Sequence, residues 1–163
     1  MPQTKPIPAG FHTATPYLTT NDTARAIDFY KRAFGAQEIM RMEAPGGKIG
    51  HAEIRIGDSV IMLADEMPGT GGHSPQSLGG TTSGVMLYVE NADTVFNQAV
   101  AAGAQVEAPL TNMFWGDRYG RLKDPFGHSW SVATRIEEVA PAEMQKRMKE
   151  SMAQMTQQSK TAR

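Results

Sequence analysis

The chain has 163 residues, with 16 Lys+Arg against 17 Asp+Glu, 40% apolar and 20% charged residues, and no cysteine. That length suits one domain, or two small modules sharing a core, and buries roughly 70% of the unfolded surface without staples. A formal net charge of −1 gives no pull toward nucleic acid or anionic membrane, and the lack of cysteine excludes disulfides, thiol catalysis and thiolate metal sites. No run approaches roughly 18 consecutive apolar residues, so no membrane-spanning helix is expected. Residues 1–10 hold three prolines and no apolar segment, which argues against a signal peptide. A cytoplasmic location is the default expectation.

The first element is a strand over 15–20 (TPYLTT), beginning once Pro16 is passed. Asn21 and Asp22 are capping residues, and 23–34 follows a helical period with Ile27, Tyr30 and Phe34 on one face. Gly35 stops that helix where a left-handed residue is wanted. Residues 51–56 alternate, with Ala52, Ile54 and Ile56 on one face and His51, Glu53 and Arg55 on the other. Gly57-Asp58 predicts a tight hairpin turn, with 59–65 as the returning strand; Arg55 then faces Val60, Glu53 faces Met62 and His51 faces Ala64. Residues 67–80 carry five glycines and two prolines, the composition of a flexible linker or a loop over a pocket.

The pattern then restarts. A strand is expected over 84–90, Asn91 is a cap, 92–102 is helical with Val95, Phe96, Ala99 and Val100 inward, and Gly103 ends it. The same tripeptide follows each helix stop, Gly35-Ala36-Gln37 and Gly103-Ala104-Gln105. A hairpin over 121–124 and 128–134 turns at Pro125-Phe126-Gly127. Strand, capped helix, glycine stop and three strands thus occur twice, an internal duplication of a βαβββ unit. Beyond Ala140, Met144, Met148, Met152 and Met155 stripe one face of a helix expected over about 140–155, with Glu143–Arg147 and Lys146–Glu150 pairs beside it. It is read as a packing helix, against its own domain or a partner subunit. Residues 157–163 are polar and expected to fray.

The paired modules, with DTARAIDFYKRAFGAQ in the first and LKDPFGHSW in the second, resemble the vicinal oxygen chelate superfamily of glyoxalase I, bleomycin-resistance proteins, fosfomycin-resistance enzymes and extradiol dioxygenases. HAEIRIGDSVIMLAD, FWGDRYGRLKDPFGHSW and VAPAEM are similar to its PhnB-like subgroup. The resemblance implies one α+β domain: two tandem βαβββ modules (about 11–66 and 83–136, linked by 67–82) forming a curved mixed sheet around a concave cleft, plus the C-terminal helix. Helices would cover the convex side, against Ala52, Ile54, Ile61 and Leu63. His51, Glu53, Val60 and Met62 would line the cleft.

Metal-using members hold a divalent ion with four side chains, and the resemblance places those positions at Thr15, Met62, Gly84 and Ser131. None is His, Glu or Asp, so the usual centre lacks its donors and no cofactor is expected. A displaced set, His51, Glu53, Asp65 and Glu66, is the alternative, and would suit a metal-dependent lyase, isomerase or dioxygenase. His12 and His73 are expected at the surface, and His128 on the convex face beside Trp130. No phosphate loop and no G-x-S-x-G elbow occurs. The reading is therefore a small-molecule binder, homodimeric, without nucleic-acid or membrane partners. Its expected ligand contacts are His51, Glu53, Met62, Met86, Tyr88, Trp115 and Arg118. Within 114–119 (FWGDRY), Trp115 offers a flat face and Arg118 a bidentate donor; the alternative for Trp115 is burial at a module or subunit contact.

Overall fold

The computed structural model describes residues 4–161, so the ends of the proline-bearing arm and of the polar tail lie outside the described residues. The first module runs β1 (Tyr17–Thr20), α1 (Thr23–Phe34), β2 (Gln37–Ala44), β3 (Lys48–Ile56) and β4 (Ser59–Asp65). After a short helix α2 (Pro75–Leu78), the second repeats it as β5 (Gly84–Tyr88), α3 (Ala92–Ala102), β6 (Gln105–Asn112), β7 (Asp117–Lys123) and β8 (Ser129–Arg135). A final helix α4 spans Pro141–Thr161.

Local chemistry sets the helix limits. The Asp22 carboxylate accepts from the Arg25 N–H at 3.1 Å, and Asn91 does the same for Thr94 at 2.9 Å. Gly35 and Gly103 take positive φ of 67° and 118°, which close the two helices.

The strands form two four-stranded sheets, one per module, ordered β1-β4-β3-β2 and β5-β8-β7-β6. In each the first strand runs parallel to the fourth and the remaining pairs are antiparallel. The expected pairings Arg55–Val60 and Glu53–Met62 are present. The duplicated unit implies strands β2 and β6, but no local residue pattern marks their bounds. Both are mostly exposed and carry register shifts, and β6 contains Pro109, so neither shows period-two alternation.

The two modules share one core. Phe29 and Tyr30 of α1 are fully buried with Trp130 of β8, and the Tyr30 and Trp130 ring centroids lie 5.0 Å apart. Asp124, just beyond β7, organises this contact. Its Oδ2 accepts from the Tyr30 hydroxyl at 2.6 Å and the Trp130 indole N–H at 2.9 Å, while Oδ1 accepts from the amides of Phe126 and His128. Burial, then the adjacent Asp124 carboxylate, raises the Tyr30 phenol well above its usual range, so it stays a donor. His128 is buried on the convex side, as expected, with Nε2 3.0 Å from the Thr19 carbonyl.

The glycine-rich segment is anchored rather than free. Glu66 accepts from the Ser74 amide at 3.0 Å and lies 3.2 Å from His73 Nδ1, and Ser74 caps α2. Pro75 packs so closely on Gly127 that a Cβ there would meet it at 2.7 Å. The methionine stripe of α4 is not buried on its own domain: Met148, Met152 and Met155 are 46%, 58% and 68% exposed. Arg147 fastens the helix base through Glu143 and Glu137.

Candidate functional site

Duplication makes the two concave faces comparable position by position. The helix caps equate Tyr17 with Met86, and the strand registers equate Met62 with Ser131 and Glu53 with Arg121. A third marker agrees. Asp65 Oδ1 accepts from the first helical amide, Thr23, at 2.9 Å, and Thr134 Oγ1 does so for Ala92 at 2.8 Å.

On module 1 the expected trio His51, Glu53 and Met62 does share the face away from the helix. Tyr17 joins it: its hydroxyl lies 3.0 Å from His51 Nδ1, and His51 Nε2 lies 3.3 Å from Glu53 Oε1. The chain is satisfied when Nε2–H donates to Glu53 and Nδ1 accepts from the phenol. Met40 and Met42 of β2 pair with Glu53 and His51, and both are exposed.

On module 2, Met86, Tyr119, Arg121, Ser129 and Ser131 wall an open groove of about 810 Å³, with residues 79–83 and Pro75 also lining it. No residue of β1–β4 lines it, so His51, Glu53 and Met62 lie outside this groove. The Tyr119 hydroxyl sits 3.0 Å from Ser131 Oγ. Tyr88 and Trp115 are not among the groove's lining residues; both donate to Oδ2 of the fully buried Asp117, at 2.8 and 3.0 Å. Arg135 Nε donates to Oδ1 at 2.8 Å. The hydrogen bond to Asp117 raises the Tyr88 phenol above its ordinary value. Trp115 rests edge-on to Tyr119, with centroids 5.7 Å apart.

Arg118 lies elsewhere. Alternation puts it on the α3 side of β7 with Gly120 and Leu122, where its Nε and Nη2 each donate to Asp93 at 2.6 Å. That hydrogen-bonded pair raises the guanidinium pKa further and lowers that of Asp93. The bidentate donor expected for a ligand acid is thus engaged by the protein's own helix. The cations that line the groove are Arg121 and Lys123. The signal was the alternation Asp117-Tyr119-Arg121-Lys123, hidden when the strand is begun at 121.

The donor chemistry does not fit the family's metal. Threonine, thioether, glycine and serine at Thr15, Met62, Gly84 and Ser131 supply neither imidazole nor carboxylate. The displaced set is not assembled either. Asp65 points to the helix side, 4% exposed, with one oxygen on Thr23 N and the other on Ile49 N at 2.6 Å. Glu66 is committed to His73 and Ser74. Among the described residues no three His, Asp or Glu come together as a cation site.

Comparison with known proteins agrees with this architecture. An uncharacterised protein of Mycobacterium tuberculosis H37Rv is 45% identical over 137 residues, covering 82% of this chain and 81% of its own. The crystal structure of TioX from Micromonospora sp. ML1 superposes with a TM-score of 0.60 at 28% identity, over 79% of this chain and 100% of that one. The PhnB protein of Bacillus cereus does so at 0.57 and 21%, over 76% and 99%, a likeness of fold. The model of the Glyoxalase/Bleomycin resistance protein/Dioxygenase superfamily matches residues 11–132, and the chain belongs to that superfamily.

Proposed function

We propose that the chain is a small-molecule binding protein that works without the family's metal centre, in the cytoplasm and as a homodimer. The observation that carries this reading is the module 2 groove. At about 810 Å³ it falls in the range of roughly 300–1,000 Å³ typical of small-ligand sites, and it is walled by hydroxyls, methionine, two cations and the carboxylate of Glu107. Homodimerisation is supported by apolar side chains left on open faces, among them Tyr17 and Met42 at 52% and 55% exposure, and by the exposed α4 stripe. Among the described residues no helix is long and apolar enough to cross a membrane.

The test is a thermal-shift screen of a metabolite panel on the full chain, followed by Met86→Ala and Tyr119→Ala, which line the groove, and by His51→Ala for a ligand seated on module 1. Each substitution weakens a ligand that contacts the residue by about 1–3 kcal/mol. Variants that fold and bind as tightly as the parent sink the concave-face assignment. Light scattering tests the dimer, and a monomer at high concentration rejects it.

The Tyr17–His51–Glu53 chain favours a second reading, metal-free acid–base chemistry with the phenol as the group that meets substrate. Recovery of a bound ligand unchanged after long incubation supports the binder, whereas conversion lost in His51→Ala supports the enzyme.

A further inference from the structure

Resting on the concave-face reading, we infer that the module 2 groove takes a small hydroxylated anion, of the phosphate-ester or hydroxy-acid class, on Arg121 and Lys123. Glu107 is the internal counter-ion that such a ligand displaces. The charge count is the first ground. Arg121 Nε and Lys123 Nζ each lie 3.2 Å from one oxygen of Glu107, the one carboxylate among the groove's described lining residues. Two cations share one anion, so one positive charge is left over inside a concave wall. Both side chains are about half exposed, at 50% and 47%, and keep N–H donors that Glu107 does not engage.

Placement is the second ground. Arg121 pairs with Ser131 and Lys123 with Ser129 on adjacent same-face rungs of the β7–β8 ladder, so the cations are flanked by hydroxyls. Tyr119 adds a third on the next rung, and Thr81, Thr82 and Ser83 also line the groove. Charged donors fix an acid group, and this density of hydroxyls suits a ligand body that hydrogen-bonds along its length.

The duplication supplies an internal contrast. In module 1 the position of Arg121 is Glu53, that of Ser131 is Met62 and that of Ser129 is Val60; only Arg55 matches Lys123 in charge. A carboxylate and apolar side chains at those rungs repel or ignore an anion. The anion site therefore belongs to the second module alone.

The experiment titrates the full chain with inorganic phosphate, glycerol 3-phosphate, glycerate and uncharged glycerol, read by calorimetry and by amide chemical shifts. Glycerol 3-phosphate or glycerate is expected to shift amides over 79–84 and 119–131, more tightly than inorganic phosphate, with glycerol silent. Which of the two organic anions binds better identifies the acid group. Affinity falls with added salt. Arg121→Gln and Lys123→Gln each weaken binding about tenfold, the scale of one charge-assisted hydrogen bond. Glu107→Gln strengthens it up to about fivefold, since the competing carboxylate is gone. Unfolding midpoints near the parent's confirm that the variants are folded. Anion binding indifferent to Arg121→Gln and Lys123→Gln, or weakened by Glu107→Gln, overturns the inference. If a screened neutral ligand occupies the groove and no anion does, the anion assignment falls and the concave-face reading stands. If nothing binds either concave face, both fall.

Discussion

The two modules match on the side facing their helices and diverge on the side facing away. Against the helices, Leu18 corresponds to Leu87, Ile54 to Leu122, Leu63 to Val132 and Ile61 to Trp130, apolar at every pair. The one small pair, Ala52 and Gly120, follows from local space: a Cβ on Gly120 would lie 2.5 Å from the Phe96 ring of α3. On the concave side Tyr17 corresponds to Met86, His51 to Tyr119, Glu53 to Arg121 and Met62 to Ser131, with charge and polarity changed at most rungs. A strand alternates its side chains between faces, so one face can satisfy the core while the other changes freely. The scaffold is duplicated and the chemistry is not.

The comparison breaks most sharply at the contact between the modules. Asp124→Ala leaves the Tyr30 hydroxyl and the Trp130 indole N–H buried without an acceptor, and is expected to cost about 3–5 kcal/mol. Urea unfolding followed by tryptophan fluorescence and by far-UV circular dichroism measures it. The two signals should coincide in the parent, because the modules share one core. A loss below about 1 kcal/mol would mean that the modules are not tied through this carboxylate.

The next test sharpens the equivalence of Asp65 and Thr134. Both cap the helix that follows their module's first strand, but Asp65 also accepts from Ile49, whereas the Thr134 hydroxyl donates to the Val89 carbonyl. Asp65→Ala should cost about 2–3 kcal/mol and Thr134→Val about 1 kcal/mol, in the same unfolding assay. The reverse order would show that the carboxylate is not the stronger anchor.

The smallest effect is confined to Glu66. Hydrogen bonds from the Ser74 hydroxyl, then the Ser74 amide and His73, lower its carboxyl from 4.5 to about 2. Folding favours the ionised form, so this anchor of the 67–80 segment is complete above pH 4.5 and is lost as pH falls through about 2. The Ser74 amide shift should follow that titration, and Glu66→Gln should abolish it. A Ser74 shift that stays flat across the window removes Glu66 as the anchor.

Much of the fold was legible because helix signals are local. Capping residues before the α1 and α3 periods and glycines after them set both helices, and the repeat of the pattern exposed the duplication. The edge strands β2 and β6 were not legible, since exposed strands with bulges carry no alternation. On the candidate site, His51, Glu53 and Met62 followed from period two and share a face. Arg118 did not belong with them, because starting β7 at 121 hides the parity of 117–120, and one residue of slip moves a side chain to the opposite face. Asp65 ends β4 beside Glu66 in sequence, but its partners, Thr23 and Ile49, are distant in the chain and only the folded arrangement brings them to it.

The hydrogen bond between Tyr30 and Asp124 joins residues 94 positions apart. During synthesis α1 is complete long before the acceptor for its buried phenol has been made. Until Asp124 and Trp130 emerge, the face of α1 bearing Tyr30 and Phe34 has neither its hydrogen-bond partner nor the indole it packs against. The amino-terminal half therefore cannot reach its final packing as an independent unit, and the closing hairpin, among the last parts of the domain to be made, completes the first. A truncation before residue 124 should accordingly yield a chain that binds hydrophobic dye and sheds its amide protons quickly, although every strand of the first sheet is present.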